Sequence, residues 1–219
     1  MTKVSVEVVD DPRFGIRIYR NALNPSVRDV GFLESVMNRN ESELIKWKES
    51  CVGDYEIVPS YRNSYECILR QEHVVMAGSH YVDFLLVYNE FISILKKCVD
   101  HYCSPYGIDM KYMEAVNYIK YERGGHFNVH SDAAWSYTCT VSTVSYLNDD
   151  YGGGELVFPR IGYTYRPSSG DIVVCPSNFI YEHGAMPVTE GTKYSVATMF
   201  DYNSRFHKYP HGYNEDGTL

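Results

Sequence analysis

Apolar residues recur at three- and four-residue steps in one long stretch of the first half of the chain. In the second half they fall into short runs broken by glycine and proline. Phe84, Leu85, Tyr88, Phe91, Ile92, Leu95 and Val99 share one face of a helix over about residues 80–103. A face of that kind packs on a core, so this helix is given no chemistry. Ahead of it, residues 14–24 read as a strand. Asn24-Pro25, with Ser26 as a capping candidate, marks a helix start, and residues 26–37 read as helical. Glu41–Lys48 reads as a short helix inside a polar stretch, 41–66, that patterning does not resolve.

Beyond Pro105 strand signals take over. Strands are expected over 113–121, 138–147, Glu155–Phe158, Asp171–Cys175 and Lys193–Tyr202. Gly152-Gly153-Gly154 and Pro167-Ser168-Ser169-Gly170 read as turns, and the polar residues 203–219 as a loop or tail. Helices followed by many short strands predict an α+β, mainly β fold, with a helical layer supporting a β-sandwich or barrel. The expected organisation is one domain, 1–219: a support region 1–112, a β core 113–202 and a tail 203–219.

Composition narrows the function. The net charge is −8 and no basic stripe appears, which argues against a nucleic-acid partner. The N-terminus lacks a signal-peptide apolar region, and no apolar run approaches a membrane span. No membrane association and a cytoplasmic location are therefore expected. Six cysteines, at 51, 67, 98, 103, 139 and 175, include no Cys-x-x-Cys pair and are read as reduced thiols. The 21 tyrosines suit a core around a polar cavity, since each packs a ring and keeps a hydroxyl for a partner.

Chemistry concentrates at His130-Ser131-Asp132. On an extended segment, positions two apart face the same way, so an imidazole and a carboxylate can take neighbouring positions on one metal. His183 is the candidate third ligand. Two imidazoles and one carboxylate on one face leave coordination positions open, as mononuclear non-haem iron requires. His-x-Asp alone is a weak signal, and the surrounding order strengthens it. Tyr121, Gly124 and Gly125 precede the pair. Tyr146-Leu147-Asn148, the run Gly153 to Pro159, Gly170-Asp171-Ile172-Val173, His183 to Val188 and Gly191-Thr192-Lys193-Tyr194 follow.

Over about residues 113–202 this order resembles the prolyl 4-hydroxylase branch of the iron(II)/2-oxoglutarate-dependent dioxygenases. The resemblance implies a double-stranded β-helix, or jelly-roll, core. It implies Fe(II) held by His130, Asp132 and His183, which are both the metal ligands and the catalytic residues. It implies 2-oxoglutarate bound by Lys193 with Tyr146 and Tyr121, O2 as oxidant, and ascorbate as reductant. A buried dicarboxylate needs a cation and donors, and Lys193 and the two tyrosines are of the right type. The implied reaction hydroxylates an unactivated C–H, with C4 of proline in a peptide or protein leading, and yields succinate and CO2.

Three positions are expected at the substrate end: Phe127, where relatives often carry tyrosine; Phe200, as an aromatic wall; and Arg160, reaching in from a loop. Cys139 stands where many relatives have arginine, and Arg166 is a second arginine that a loop could bring near. His126, His207 and His211 read as structural or surface residues. A free amino acid or other small molecule is the competing substrate, and a non-catalytic β-barrel binding module the competing class. Succinate production separates the second from the first.

Overall fold

A computed structural model describes residues 7–11, 15–39, 41–53, 56–133 and 138–203. In chain order the elements begin with strands β1 (Glu7–Asp11) and β2 (Ile16–Arg20), helix α1 (Val30–Met37), and strands β3 (Lys48–Glu49), β4 (Arg62–Asn63) and β5 (Tyr65–Leu69). Helices α2 (Gln71–Met76) and α3 (Val82–Cys103) follow, then β6 (Tyr112–Met113), β7 (Val116–Tyr121) and β8 (His126–His130). The remaining strands are β9 (Val141–Tyr146), β10 (Gly152–Gly153), β11 (Leu156–Phe158), β12 (Tyr163–Tyr165), β13 (Ile172–Pro176), β14 (His183–Ala185), β15 (Val188–Glu190) and β16 (Lys193–Asp201).

The strands form a major sheet in the order β1-β2-β13-β9-β16-β7-β5-β3, with β6 added beside β16, and a minor sheet in the order β12-β11-β14-β8-β4. Every pairing is antiparallel, and β10 and β15 make a separate ladder. This is the mainly β jelly-roll with helical support that the sequence predicts.

Period two along β16 separates two environments. Tyr194, Val196 and Phe200 pack with the buried face of α3, including Phe84, Phe91 and Leu95, in the largest apolar cluster. Lys193, Ser195, Ala197 and Met199 point the other way, into a cavity between the sheets. Phe84 and Phe91 both meet the ring of Tyr118 on β7, so α3 is fixed to the back of the strands that carry the site. Burying each such ring stabilises the fold by roughly 1.5–3 kcal/mol.

Several boundaries differ from the sequence reading. The first helix starts at Val30, not 26. Asp29 is its cap, accepting from the Phe32 N–H at 2.8 Å, and Ser26 instead donates to Glu90 at 2.8 Å. Glu41–Lys48 is not helical; the segment runs through bends into β3. The first expected strand ends at Arg20 because Asn21 turns left-handed at φ 51°. Gly152 and Gly153, read as a turn, pair with β15 across a register shift. The expected 113–121 strand is divided into β6 and β7. Of the expected tail, 204–219 lies outside the described residues, as do His207 and His211. All six cysteines are free, five of them buried.

Candidate active site

His130 closes β8 and His183 opens β14, and the two stand opposite each other in the antiparallel ladder. Asp132 lies two residues past the end of β8, in a bend. Ser131 holds that bend by donating to the carbonyls of Ala133 at 3.0 Å and Ser177 at 3.2 Å. The ladder between β8 and β14 needs Gly184: a Cβ there would sit 2.9 Å from the Phe127 carbonyl oxygen.

The three side chains converge. His130 Nε2 is 3.4 Å from Asp132 Oδ1 and His183 Nε2 is 3.8 Å from Asp132 Oδ2. One ligand atom from each residue falls within 4.8 Å of the others. Each imidazole is oriented from behind. His130 Nδ1 lies 2.8 Å from the Asn128 carbonyl oxygen and His183 Nδ1 lies 3.1 Å from that of Tyr181. A carbonyl can only accept, so Nδ1 carries the proton in both rings and the Nε2 lone pairs face the shared space. Phe127 stacks flat on His130, with centroids 3.7 Å apart and planes at 18°. Phe158 backs His183 at 5.6 Å.

The ionisation states suit a cation. Burial pushes the Asp132 carboxyl up, but His183, His130 and a hydrogen bond from Ser142 outweigh it and hold the group well below the usual carboxylate range. Burial also lowers the His183 imidazole despite the attraction of Asp132, favouring the neutral ring. A carboxylate and neutral imidazoles with free Nε2 atoms are the forms that ligate a divalent metal. The donor set therefore fits mononuclear Fe(II).

Lys193 enters the same cavity from β16. Its side chain is 2 % exposed, and Nζ donates to the Gly154 carbonyl at 2.8 Å. It lies 5.1 Å from the ring centre of Tyr121 and 5.3 Å from that of Tyr146. Burial, and after it Arg166, pulls its ammonium down to about 7. Gly154 makes room for this arrangement: at φ 69°, an added Cβ would meet the Lys193 stem at 3.1 Å and the Tyr151 ring at 2.9 Å. The Tyr146 hydroxyl is buried with no hydrogen-bond partner among the described residues. Lys193 and Tyr146 thus offer donors to an acceptor that enters the cavity, which is what a dicarboxylate supplies.

The cavity holds about 370 Å³ and is lined by the triad, Lys193, Tyr121, Tyr146, Phe127 and Met199, among others. Two expected substrate residues do not reach it. Phe200 points to the α3 side and is 1 % exposed in the core; its neighbour Met199 is the one that faces the cavity. Arg160 lies outside, ion-paired with Glu182 at 2.6 Å. Arg166 also stays outside the lining, donating to the carbonyls of Tyr151 and Gly153. His126 sits off the cavity, with Nδ1 3.1 Å from the Gly124 carbonyl oxygen. Cys139 is buried and does not line the cavity; burial pushes its thiol up to about 12.

Arg62, from the polar stretch that patterning does not resolve, also reaches the cavity. It stands opposite Phe127 in the β4–β8 ladder, lines the cavity, and lays its guanidinium 4.7 Å from the Phe127 ring centre. Glu66 pairs with it at 2.8 Å, and the two side chains are only 8 % and 9 % exposed. The signal was present in the polar stretch: an arginine and a glutamate four apart share one side of an extended chain.

Residues 116–201 match the model of the 2OG-Fe(II) oxygenase superfamily. Over this segment, which carries the site, the chain is similar to that superfamily. The matched region holds all three triad residues, Lys193, Tyr121 and Tyr146. The superfamily uses Fe(II), 2-oxoglutarate and O2, in keeping with the donor set and the buried cation. A protein of Acanthamoeba polyphaga mimivirus named "Putative prolyl 4-hydroxylase" is 23% identical over 127 residues, covering 49% of this chain and 52% of its own length. The chain thus spans about half the length of that curated relative.

Among solved structures, a Pseudomonas putida prolyl-4-hydroxylase superposes with a TM-score of 0.67 at 16% identity, over 86% of this chain and 93% of its own. A Trichoplax adhaerens prolyl hydroxylase in complex with a hypoxia-inducible-factor peptide gives 0.63 at 17%, over 85% and 83%. The viral collagen prolyl hydroxylase of Paramecium Bursaria Chlorella virus-1, in its 2OG complex, gives 0.58 at 16%, over 84% and 94%. At these identities the likeness carries the fold. Among the described residues no helix is long and apolar enough to cross a membrane.

Proposed function

We propose that this protein is a 2-oxoglutarate-dependent dioxygenase that hydroxylates an unactivated C–H, with C4 of a proline in a peptide or protein as the leading target. The observation that carries the reading is the convergence of His130, Asp132, His183 and Lys193 on one cavity.

In this reading His130, Asp132 and His183 hold Fe(II) through Nε2, a carboxylate oxygen and Nε2. The bound iron, with 2-oxoglutarate and O2, supplies the oxidising power, and succinate and CO2 leave as coproducts. Lys193 takes the distal carboxylate of 2-oxoglutarate, an attraction made stronger by the dry surroundings. Tyr146 donates its free hydroxyl to the same group, and Tyr121 walls the other side of the ammonium. Asn128 and Tyr181 fix the imidazole tautomers through their carbonyls. Phe127 and Met199 give the reacting carbon an apolar wall, which suits a proline ring. Ascorbate would serve as reductant.

Charge bookkeeping favours a peptide over a free amino acid. The described lining carries two cations, Lys193 and Arg62, and Arg62 is already paired with Glu66. Once Lys193 takes the cosubstrate, no unpaired cation of that lining remains for a substrate carboxylate. A proline-containing peptide is therefore the proposed partner.

The test is a proline-rich peptide library incubated with Fe(II), ascorbate and 2-oxoglutarate. Mass spectrometry should find one added oxygen on a proline, matched by succinate. Succinate with oxidation of free amino acids alone would replace the peptide reading. No succinate across a broad substrate panel would leave a binding module.

A further inference from the structure

One wall of the cavity is built by a polar cluster to which the oxygenase chemistry gives no role. Arg62 Nη2 pairs with Glu66 Oε2 at 2.8 Å, and Asn117 Nδ2 donates to the same oxygen at 3.1 Å. The pair also grips one residue of the facing segment: Arg62 Nη1 donates to the Cys51 carbonyl at 3.0 Å, and Glu66 Oε1 accepts from the Cys51 N–H at 3.1 Å. Cys51, Val52, Gly53, Arg62 and Asn117 all line the cavity.

Two polar atoms of this cluster are left over. Arg62 Nε and Asn117 Oδ1 are buried, and neither has a hydrogen-bond partner among the described residues. The orientation of the Asn117 amide is fixed by chemistry: Glu66 as a carboxylate can only accept, so Nδ2 must face it and Oδ1 must face away. Arg62 is 8 % exposed, and a buried N–H without a partner is costly to maintain. The leftover pair is one donor and one acceptor, the complement of a neutral amide.

We infer that Arg62, Glu66 and Asn117 form a specificity site that takes an uncharged amide of the substrate backbone and refuses a carboxylate. Glu66 is the deciding residue. It cancels the guanidinium charge, so an entering carboxylate meets a neutralised cation and a buried anion together. An amide meets a donor and an acceptor and brings no charge to desolvate. Without Glu66 the same wall would present a bare guanidinium, which prefers carboxylates. This inference rests on the reading of the cavity as the active site and adds the chemical class of group recognised beside the reacting carbon.

The experiment uses the Fe(II)- and 2-oxoglutarate-loaded protein under anaerobic conditions, where binding is read without turnover. Two degenerate pools of acetyl-capped proline peptides compete for it. One pool ends in an amide one residue beyond proline, and the other ends at proline with a free carboxylate. The wild type should retain the amide pool at least about tenfold better, and Glu66→Gln should erase most of that ratio. Equal retention by the wild type, retention of neither pool, or a Glu66→Gln variant that weakens both pools by the same factor overturns the inference. The last pattern is that of a purely structural clamp.

A second measurement is independent of the substrate. Calorimetric titration of 2-oxoglutarate into Lys193→Ala should show affinity reduced by at least about tenfold, because Arg62 is not free to capture a carboxylate. Wild-type affinity in that variant would overturn this inference and, with it, the role given to Lys193, while leaving the triad untouched. Failure of the wild type to bind 2-oxoglutarate would instead overturn the cosubstrate reading, and the inference with it.

Discussion

His183 lies across the ladder from His130, their ring centres 4.7 Å apart, so two short strands far apart in sequence fix two of the three candidate ligands. Removing one leaves a two-ligand site. His183→Ala should lower Fe(II) affinity by at least about a hundredfold and abolish succinate formation, since even outer-shell changes cost ten- to a hundredfold. Ligand binding to the folded state raises its stability. Fe(II) should therefore raise the Tm of the wild type and leave that of the variant unmoved; an equal rise in both would reject the triad.

Lys193 gives a pH dependence with a definite sign. Its ammonium is pulled to about 7 by burial, below the ordinary lysine value, so the metal-free, cosubstrate-free protein loses that charge as pH rises through about 7. The unfolded chain still binds the proton up to its higher pKa. The penalty of burying the charge is thus fully present below about 7 and relieved between there and the ordinary lysine range. For 2-oxoglutarate the direction reverses, because the dicarboxylate needs the charged form. Calorimetry in buffers of different ionisation enthalpy should find proton uptake on binding at pH 8 and little at pH 6. Lys193→Ala should abolish the uptake and leave Fe(II) affinity largely intact.

The C-terminal half was legible because its signals are local. Strand alternation, turn glycines and the spacing from His130 to Lys193 all reside in the residue order, and the triad, Lys193, Tyr121 and Tyr146 do meet in one cavity. Strand phase and strand partners are not held in the residue order. Phe200 has the aromatic character of a substrate wall, but the phase of β16 sends it to α3 and turns Met199 inward. Arg62 is not legible in the residue order because β4 is two residues long and gains its meaning only from its partner strand, β8. The helix expected at 41–48 is absent for a related reason: the segment runs through bends, and only its last residue, Lys48, joins the β3–β5 pairing.

The phase of β16 can be tested directly. Phe200→Ala removes a ring buried against the helical layer and should cost about 3–5 kcal/mol in urea unfolding. Fe(II) and 2-oxoglutarate affinities of the folded fraction should stay near wild type. Met199→Ala should cost less stability and change the retention of proline peptides instead. A Phe200→Ala variant with full stability and impaired peptide binding would return Phe200 to the substrate wall.

Gly184 offers a steric probe of the same ladder. Its missing Cβ lets β14 approach β8, and an added methyl would stand 2.9 Å from the Phe127 carbonyl oxygen and 3.2 Å from the Val129 nitrogen. Backbone cannot yield as a side-chain tip can, so Gly184→Ala must push the strands apart. That displacement bears on His183, one residue away, and on the Phe127 ring stacked over His130. The expected cost is about 1–3 kcal/mol of stability. Fe(II) affinity should also fall about tenfold, since a site about 1 Å too loose loses function while its residues remain present. Gly162→Ala is the control for glycine loss without crowding: its φ of 65° strains any side chain, but a Cβ there meets nothing within 4 Å. It should cost stability and spare iron binding. Equal loss of iron affinity in both variants would mean that the close approach of β8 and β14 does not set the ligand geometry.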